Sequence, residues 1–169
     1  MVSLKLKGKT MTEQPGQNEK DRLILVTGAT GYLGQHLIDS LLADGIAVRG
    51  LVHSEWKGEE LLDKGVEVVN GDLTDPSTLT GLLAPSSAPQ SGGDGGGSEY
   101  GEVDTVYHLV GGGSDGRSNP FRINTEATRN LVDLCASANL RAFAYVSSSS
   151  VYGRQPGWVD EESEPSPRF

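Results

Sequence analysis

The chain has 169 residues, enough for one domain with a hydrophobic core, because a chain near this size buries roughly two-thirds of its unfolded surface. With 14 basic against 23 acidic side chains the net charge is −9, which leaves no broad positive surface for nucleic-acid phosphates and excludes DNA or RNA as an expected partner. No apolar run approaches the roughly 18 residues that span a bilayer, the N-terminus lacks the apolar centre of a signal peptide, and the lone Cys135 has no partner for an internal disulfide. These features predict a soluble cytoplasmic protein with no membrane contact and no metal site.

In chain order, residues 1–21 are polar and show almost no apolar periodicity after Leu6, the pattern of a flexible tail. The domain is read over 22–169. Arg22 to Thr27 is a continuous β-prone run of the kind buried on both faces of a parallel sheet, and it ends at a glycine cluster. Leu33, Leu37, Ile38, Leu41 and Leu42 then follow at helical spacing, with Gly45 where the helix should stop. Ile46 to Val52 predicts a second strand, Glu59 to Lys64 a short helix and Val66 to Val69 a third strand. Pro76 opens a helix running to about Leu83. Residues Ala84 to Gly101, rich in Pro, Ser and Gly and without Leu, Ile, Val or Phe, read as a flexible insertion. Val103 to Val110 is a fourth strand, Asn119 to Ala138 a longer helix and Phe143 to Val146 a fifth strand. Strands alternating with helices give an α/β fold with a doubly wound parallel sheet of about five strands.

The strongest local signal is Thr27-Gly28-Ala29-Thr30-Gly31-Tyr32-Leu33-Gly34, placed where a buried strand turns into a helix. Gly28 allows a tight turn, Gly31 lets backbone approach a pyrophosphate, and Gly34 lets helix and strand pack closely. The free N–H groups of the helix N-terminus then face the phosphates. Other residues stay open between a structural and a functional role. Asp72 after the third strand could brace a turn, and His108 reads as a core residue. Asn124 within a helix is unfavourable enough by propensity to suggest a specific hydrogen-bonding task.

The string TGATGYLG resembles the TGxxGxxG fingerprint of the extended short-chain dehydrogenase/reductase family, the group of NAD-dependent epimerases and dehydratases. Three later segments agree with it: Gly71-Asp72-Leu73-Thr74-Asp75, Asp104 to Gly111, and Asn124 with Thr128, Asn130 and Leu131 leading to Tyr145-Val-Ser-Ser-Ser-Ser-Val-Tyr-Gly153. The resemblance runs from about Leu23 to Gly153 and implies a Rossmann-like sheet holding NAD(P). It implies that Asp72 contacts the adenine and Leu73 packs on its ring, and that Leu109, Val110 and Gly111 lie along the cofactor ribose. Thr30, Tyr32, Leu33 and Asn124 belong to the same cofactor-binding set.

The chemistry implied is hydride transfer at a carbonyl or alcohol centre, as in nucleotide-sugar metabolism. Ser148 would be the hydroxyl that hydrogen-bonds the reacting oxygen, and Tyr152 would shape the loop. The family's proton-transfer pair is Tyr-x-x-x-Lys, in which lysine helps to lower a phenol that otherwise titrates near pH 10. None of the 5 tyrosines has lysine at that spacing. The resemblance places the pair beyond Phe169, so the sequence reads as a C-terminally truncated portion of such an enzyme, whose full-length form would act on a small molecule. The alternative is a non-catalytic nucleotide-binding or redox-sensing module. Substrate, reaction type and oligomeric state are left open. For the cofactor, the position that carries an acid in NAD-specific members holds Val52, and the next holds His53, with Lys57 nearby. A missing carboxylate removes repulsion of a 2′-phosphate, and the reading inclines to NADP.

Overall fold

The computed structural model describes residues 22–85, 101–112 and 119–167. The expected tail (1–21) and most of the expected insertion (84–101) lie outside the described residues. Five parallel strands form one sheet: β1 (Leu23–Thr27), β2 (Ala47–Val52), β3 (Glu67–Asn70), β4 (Val103–His108) and β5 (Ala142–Tyr145). Their spatial order is β3-β2-β1-β4-β5, so the chain reverses its direction of travel across the sheet between β1 and β4. Thr27 stands beside Leu51 on one side and His108 on the other, which brings the C-terminal ends of the three central strands level.

The central strand is buried along its whole length because it must pack on both faces. On one face Ile24, Val26, Val48 and Val52 meet Ile38 and Leu41 of α1 (Tyr32–Ala43) and Leu61 of α2 (Glu59–Asp63). On the other, Leu23, Leu25, Leu51 and Val106 meet Leu79, Leu82 and the Ala127, Leu131 and Cys135 stripe of α3 (Ala127–Ala136). Each fully buried Leu or Ile contributes about 1.5–3 kcal/mol relative to exposure, so these two layers are the main source of stability. At the end of α1, Gly45 and Ile46 donate their amides to Leu42 and Leu41, closing the helix at the glycine that the sequence marked.

Two elements differ from their expected form. The helix expected from Pro76 to about Leu83 is a single 3-10 turn, Pro76–Leu79. Asp75 caps it through the Ser77 amide, but the Thr78 hydroxyl turns back to the carbonyls of Asp72 and Asp75, and Gly81 takes φ +77°. Local side-chain bonds compete there with helical continuation. The expected 119–138 helix contains a π-helical stretch, Arg122–Glu126, before α3 proper.

An unexpected feature is Arg49, buried at 2% exposure in the middle of β2. Its Nη1 donates to the carbonyls of Leu82 (2.7 Å) and Ala84 (2.8 Å), and its Nη2 to Glu67 Oε1 (2.9 Å). The Val103 amide donates to Leu83 O, which holds the residues on either side of the 86–100 segment together. Among the described residues no helix is long and apolar enough to cross a membrane.

Candidate functional site

Parallel strands that end level present their following loops on one edge, and the crevice at a reversal of strand order is where such sheets take ligands. The residues singled out from the sequence, Asn124 apart, follow strand ends on that edge. Gly28, Thr30, Gly31, Tyr32, Leu33 and Gly34 follow β1, and His53 follows β2. Asp72 and Leu73 follow β3, Leu109, Val110 and Gly111 follow β4, and Ser148 follows β5. Asn124 enters from the π-helical stretch.

The β1–α1 loop shows a division of labour among its glycines. Gly28 has φ +74°, and a Cβ there would lie 3.0 Å from the carbonyl carbon of Leu109. A Cβ at Gly34 would overlap the carbonyl oxygen of Gly28. Both positions therefore require glycine for packing. Gly31 differs: its backbone is extended (φ −78°, ψ 164°), and the nearest atom to an added Cβ is Gly28 O at 3.2 Å. Gly31 is the N-cap of α1, yet no side chain caps the helix and its first turn holds no acid. An uncapped, unobstructed helix N-terminus on the crevice fits an anionic group, because its amides lack intrahelical partners and carry the positive end of the helix dipole. Tyr32 (83% exposed) and Leu33 flank this opening, while Thr30 is half-buried with its carbonyl accepting from Gln35 Nε2 at 3.5 Å.

Across the crevice, the Leu109 amide donates to Thr27 O, which holds the loop after β4 against Gly28. Leu109 packs into the α1 layer and Val110 into the α3 layer, so their side chains anchor the loop on both faces. Asn124 fixes its far end: Oδ1 accepts from the Gly112 amide (2.9 Å) and Nδ2 donates to the Gly112 carbonyl (3.0 Å). Gly112, which sequence reading passed over, has no room for a side chain, since its Cβ would meet Ile123 at 2.9 Å. The run Gly111-Gly112-Gly113 was the available signal.

Below that loop His108 is fully buried, with Nδ1 2.6 Å from Thr27 Oγ1 and Nε2 2.9 Å from Thr128 Oγ1. It joins β1, β4 and α3, and burial pushes its imidazole down to about 4. Its environment is that of a neutral core connector.

At the β2–β3 end, Asp72 Oδ1 accepts from the Thr74 amide (2.7 Å) and hydroxyl (2.8 Å), which braces the turn. Its Oδ2 faces His53 Nδ1 at 3.9 Å. Burial raises the Asp72 carboxyl, but the Thr74 bonds and the charges of His53 and Arg122 outweigh it and hold the group below its ordinary value. Arg122 was not anticipated. Leu73 follows Asp72 on the same loop. Its side chain is only 6% exposed and lies in the core, and its carbonyl accepts from Asn130 Nδ2 at 2.8 Å. It supports the edge from beneath. Val52, at the position of the expected acid, is buried, while His53 is 75% exposed on its side chain. Lys57 lies over the Trp56 ring at 5.3 Å.

Ser148 is exposed and caps the 3-10 turn Ser149–Tyr152, its Oγ accepting from the Ser150 amide (3.2 Å) and hydroxyl (2.9 Å). The Val146 amide donates to His108 O, which aligns the end of β5 with that of β4. Tyr152 is half-buried, and its carbonyl accepts from Gln155.

The sequence model of the NAD(P)H-binding family matches residues 28–166. UDP-glucose 4-epimerase of Mycolicibacterium smegmatis is 35% identical over 153 residues, covering 83% of this chain and 44% of that protein. The 3 beta-hydroxysteroid dehydrogenase/Delta 5-->4-isomerase of Mycobacterium tuberculosis is 31% identical over 139 residues, covering 76% of this chain and 32% of the relative. Among solved structures, UDP-glucuronic acid 4-epimerase from Bacillus cereus in complex with NAD superposes with a TM-score of 0.61 at 28% identity, over 87% of this chain and 47% of that one. The chain thus spans less than half the length of these relatives.

Proposed function

The chain belongs to the NAD(P)H-binding family, in the epimerase/dehydratase branch of the short-chain dehydrogenase/reductases, and we propose that its described residues form the dinucleotide site of a protein acting on a carbonyl or alcohol centre of a nucleotide sugar. The single observation that carries this reading is the uncapped N-terminus of α1 at Gly31, open onto the crevice between β1 and β4. A nicotinamide dinucleotide supplies hydride exchange when bound. The amides after Gly31 would hold the pyrophosphate, with Thr30, Tyr32 and Leu33 around it. Asp72 would use Oδ2 toward the adenine, because Oδ1 is committed to Thr74. The backbone of Leu109, Val110 and Gly111, held by Asn124 through Gly112, would line the ribose.

Ser148 would present its hydroxyl proton to the reacting oxygen. Its oxygen accepts from both donors of Ser150, which leaves that proton for an outside acceptor. For the cofactor the reading inclines to NADP. Val52 offers no carboxylate to repel a 2′-phosphate, and exposed His53 stands beside it with Lys57 in the following turn. The domain is read as 22–169, with the 84–101 segment as an insertion at whose start Arg49 holds the carbonyls of Leu82 and Ala84.

The alternative is a nucleotide-binding or redox-sensing module without turnover, which the same dinucleotide site would serve. The test common to both is titration of the purified chain with NADPH and NADH, followed by quenching of its tryptophan fluorescence. Saturable binding that Gly31→Glu abolishes is the expected result. Absence of saturable binding to either dinucleotide sinks both readings, and hydride exchange with a UDP-sugar then separates them.

A further inference from the structure

Three parallel strands end on one row of side chains beneath the crevice. Thr27 of β1, His108 of β4 and Tyr145 of β5 are cross-strand neighbours and the last residues of their strands. Thr27 and His108 are fully buried, and Tyr145 is half-buried. A residue that only filled this space could be apolar, as Val106 is two places earlier on the same strand. His108 instead joins a different element through each ring nitrogen. Nδ1 lies 2.6 Å from the Thr27 hydroxyl, and Nε2 lies 2.9 Å from the Thr128 hydroxyl on α3. The ring also stacks on Tyr145, with centroids 5.5 Å apart at 29°. A neutral imidazole donates from one nitrogen and accepts at the other, and a threonine hydroxyl answers either way, so both bonds form in either tautomer.

Each arm of the ring leads to a different wall of the crevice. Thr27 precedes Gly28, and its carbonyl takes the Leu109 amide. Thr128 stands four residues after Asn124, whose side chain holds both backbone groups of Gly112. We propose that His108 is a positioning residue that sets the spacing between the glycine loop after β1 and the loop after β4, through Thr27 on one arm and through Thr128 and Asn124 on the other. This rests on the dinucleotide reading above, in which the first loop holds the pyrophosphate and the second lines the ribose. The imidazole is rigid, so the separation of its two nitrogens fixes how far α3 stands from the end of β1. An apolar side chain of similar volume would fill the row without fixing that span. Pyrophosphate and ribose belong to one ligand, so a site that grips both needs its two walls held at a set distance by residues beneath them.

The test uses half-mimics of the ring. In His108→Asn the amide stands where Nδ1 stood and reaches Thr27 alone, and in His108→Gln it stands where Nε2 stood and reaches Thr128 alone. Amide hydrogen exchange is read at Leu109, whose N–H is held by Thr27 O, and at Gly112, whose N–H is held by Asn124 Oδ1. His108→Asn should speed exchange at Gly112 on the order of fivefold and leave Leu109 unchanged, and His108→Gln should do the reverse. Thr128→Val cuts the same arm from a half-buried helix position with the ring left in place, and it should repeat the His108→Asn pattern. Each variant should also bind NADPH or NADH roughly tenfold more weakly than the wild type. Equal acceleration at both amides in every variant, in step with the fall in Tm, would assign His108 to packing alone and overturn the spacing role while wild-type binding stands. Failure of the wild type to bind either dinucleotide overturns the dinucleotide reading and the spacing role together.

Discussion

The two ends of the candidate site are built by different means. At the β1–α1 end, position is set by backbone packed on backbone. Gly28 sits against Leu109, Gly34 sits against Gly28, and the strand that feeds the loop is buried along its length. At the β5 end, Ser148 to Ser166 is largely exposed and is shaped by polar bonds at the surface. These run from Ser150 to Ser148, from Gln155 to Tyr152 and Glu164, and from Ser166 to Val151, with one close backbone approach among them, Gly153 (φ +63°) against the Ser166 carbonyl. Steric exclusion tolerates no substitution, whereas an exposed hydrogen bond contributes little because water replaces it. The grip on a dinucleotide should thus be the rigid part of the molecule, and the end that would face the reacting oxygen the adaptable part.

The sharpest way to break this contrast lies within the glycine loop. Gly34→Ala forces a methyl into the Gly28 carbonyl, and we expect a loss of about 3 kcal/mol or more, read as a fall of roughly 10 °C in Tm. Gly31→Ala should leave Tm within about 2 °C, since its backbone is extended and only one atom approaches its Cβ, while weakening dinucleotide binding. Equal losses of stability at both positions would mean that the opening at Gly31 is packing like the rest.

Next in size is the response to acid. His108 has its folded-state value depressed by burial to about 4 from 6.5, so the unfolded chain takes up its proton first. Above pH 6.5 it costs nothing. As pH falls from 6.5 to about 4 the native state loses stability progressively, to a total of about 3 kcal/mol at about 1.4 kcal/mol for each pH unit between the two values. Denaturant unfolding of the wild type and His108→Gln across that window should show a shallower slope for the variant. Parallel slopes would remove His108 as the neutral connector beneath the loop.

How far the sequence could foresee these parts follows from the same contrast. Gly28 and Gly34 were legible because a buried strand, a tight turn and a close helix leave one residue type possible, and the structure gives both the expected steric reason. Five strands were legible from apolar runs. Arg49 sat in one of those runs unremarked, because its carbonyl partners at Leu82 and Ala84 come from a segment far along the chain. The helix expected from Pro76 failed on local grounds, through the Thr78 back-bonds and Gly81. The π-helical stretch at Arg122–Glu126 has no signature in a 3.6-residue period, so neither the reach of Arg122 toward Asp72 nor the Gly112 clamp could be placed beforehand.

Asn124 lies between the two regimes, since it uses a side chain to do what backbone does at Gly28. Asn124→Ala removes both bonds to Gly112, which lie at the surface, and we expect a loss of no more than about 1 kcal/mol together with about tenfold weaker dinucleotide binding. Asn124→Asp keeps the acceptor for the Gly112 amide and loses the donor, so it should fall between. Amide exchange at Gly112 is the direct readout. An unchanged rate in Asn124→Ala would show that the loop is held from its β4 end alone.

The smallest effect is expected at the adaptable end. Ser148→Ala deletes the acceptor for the Ser150 amide and hydroxyl, both at the surface. Its cost should stay near 0.5 kcal/mol or about 2 °C in Tm, with dinucleotide affinity unchanged. A larger loss of stability would mean that the segment after β5 is integral to the fold, and the division between a rigid grip and an adaptable chemical end would then fail. A loss of affinity alone would carry a different meaning: the Ser148 hydroxyl would reach the dinucleotide itself, and the crevice would be narrower between β4 and β5 than the edge geometry implies.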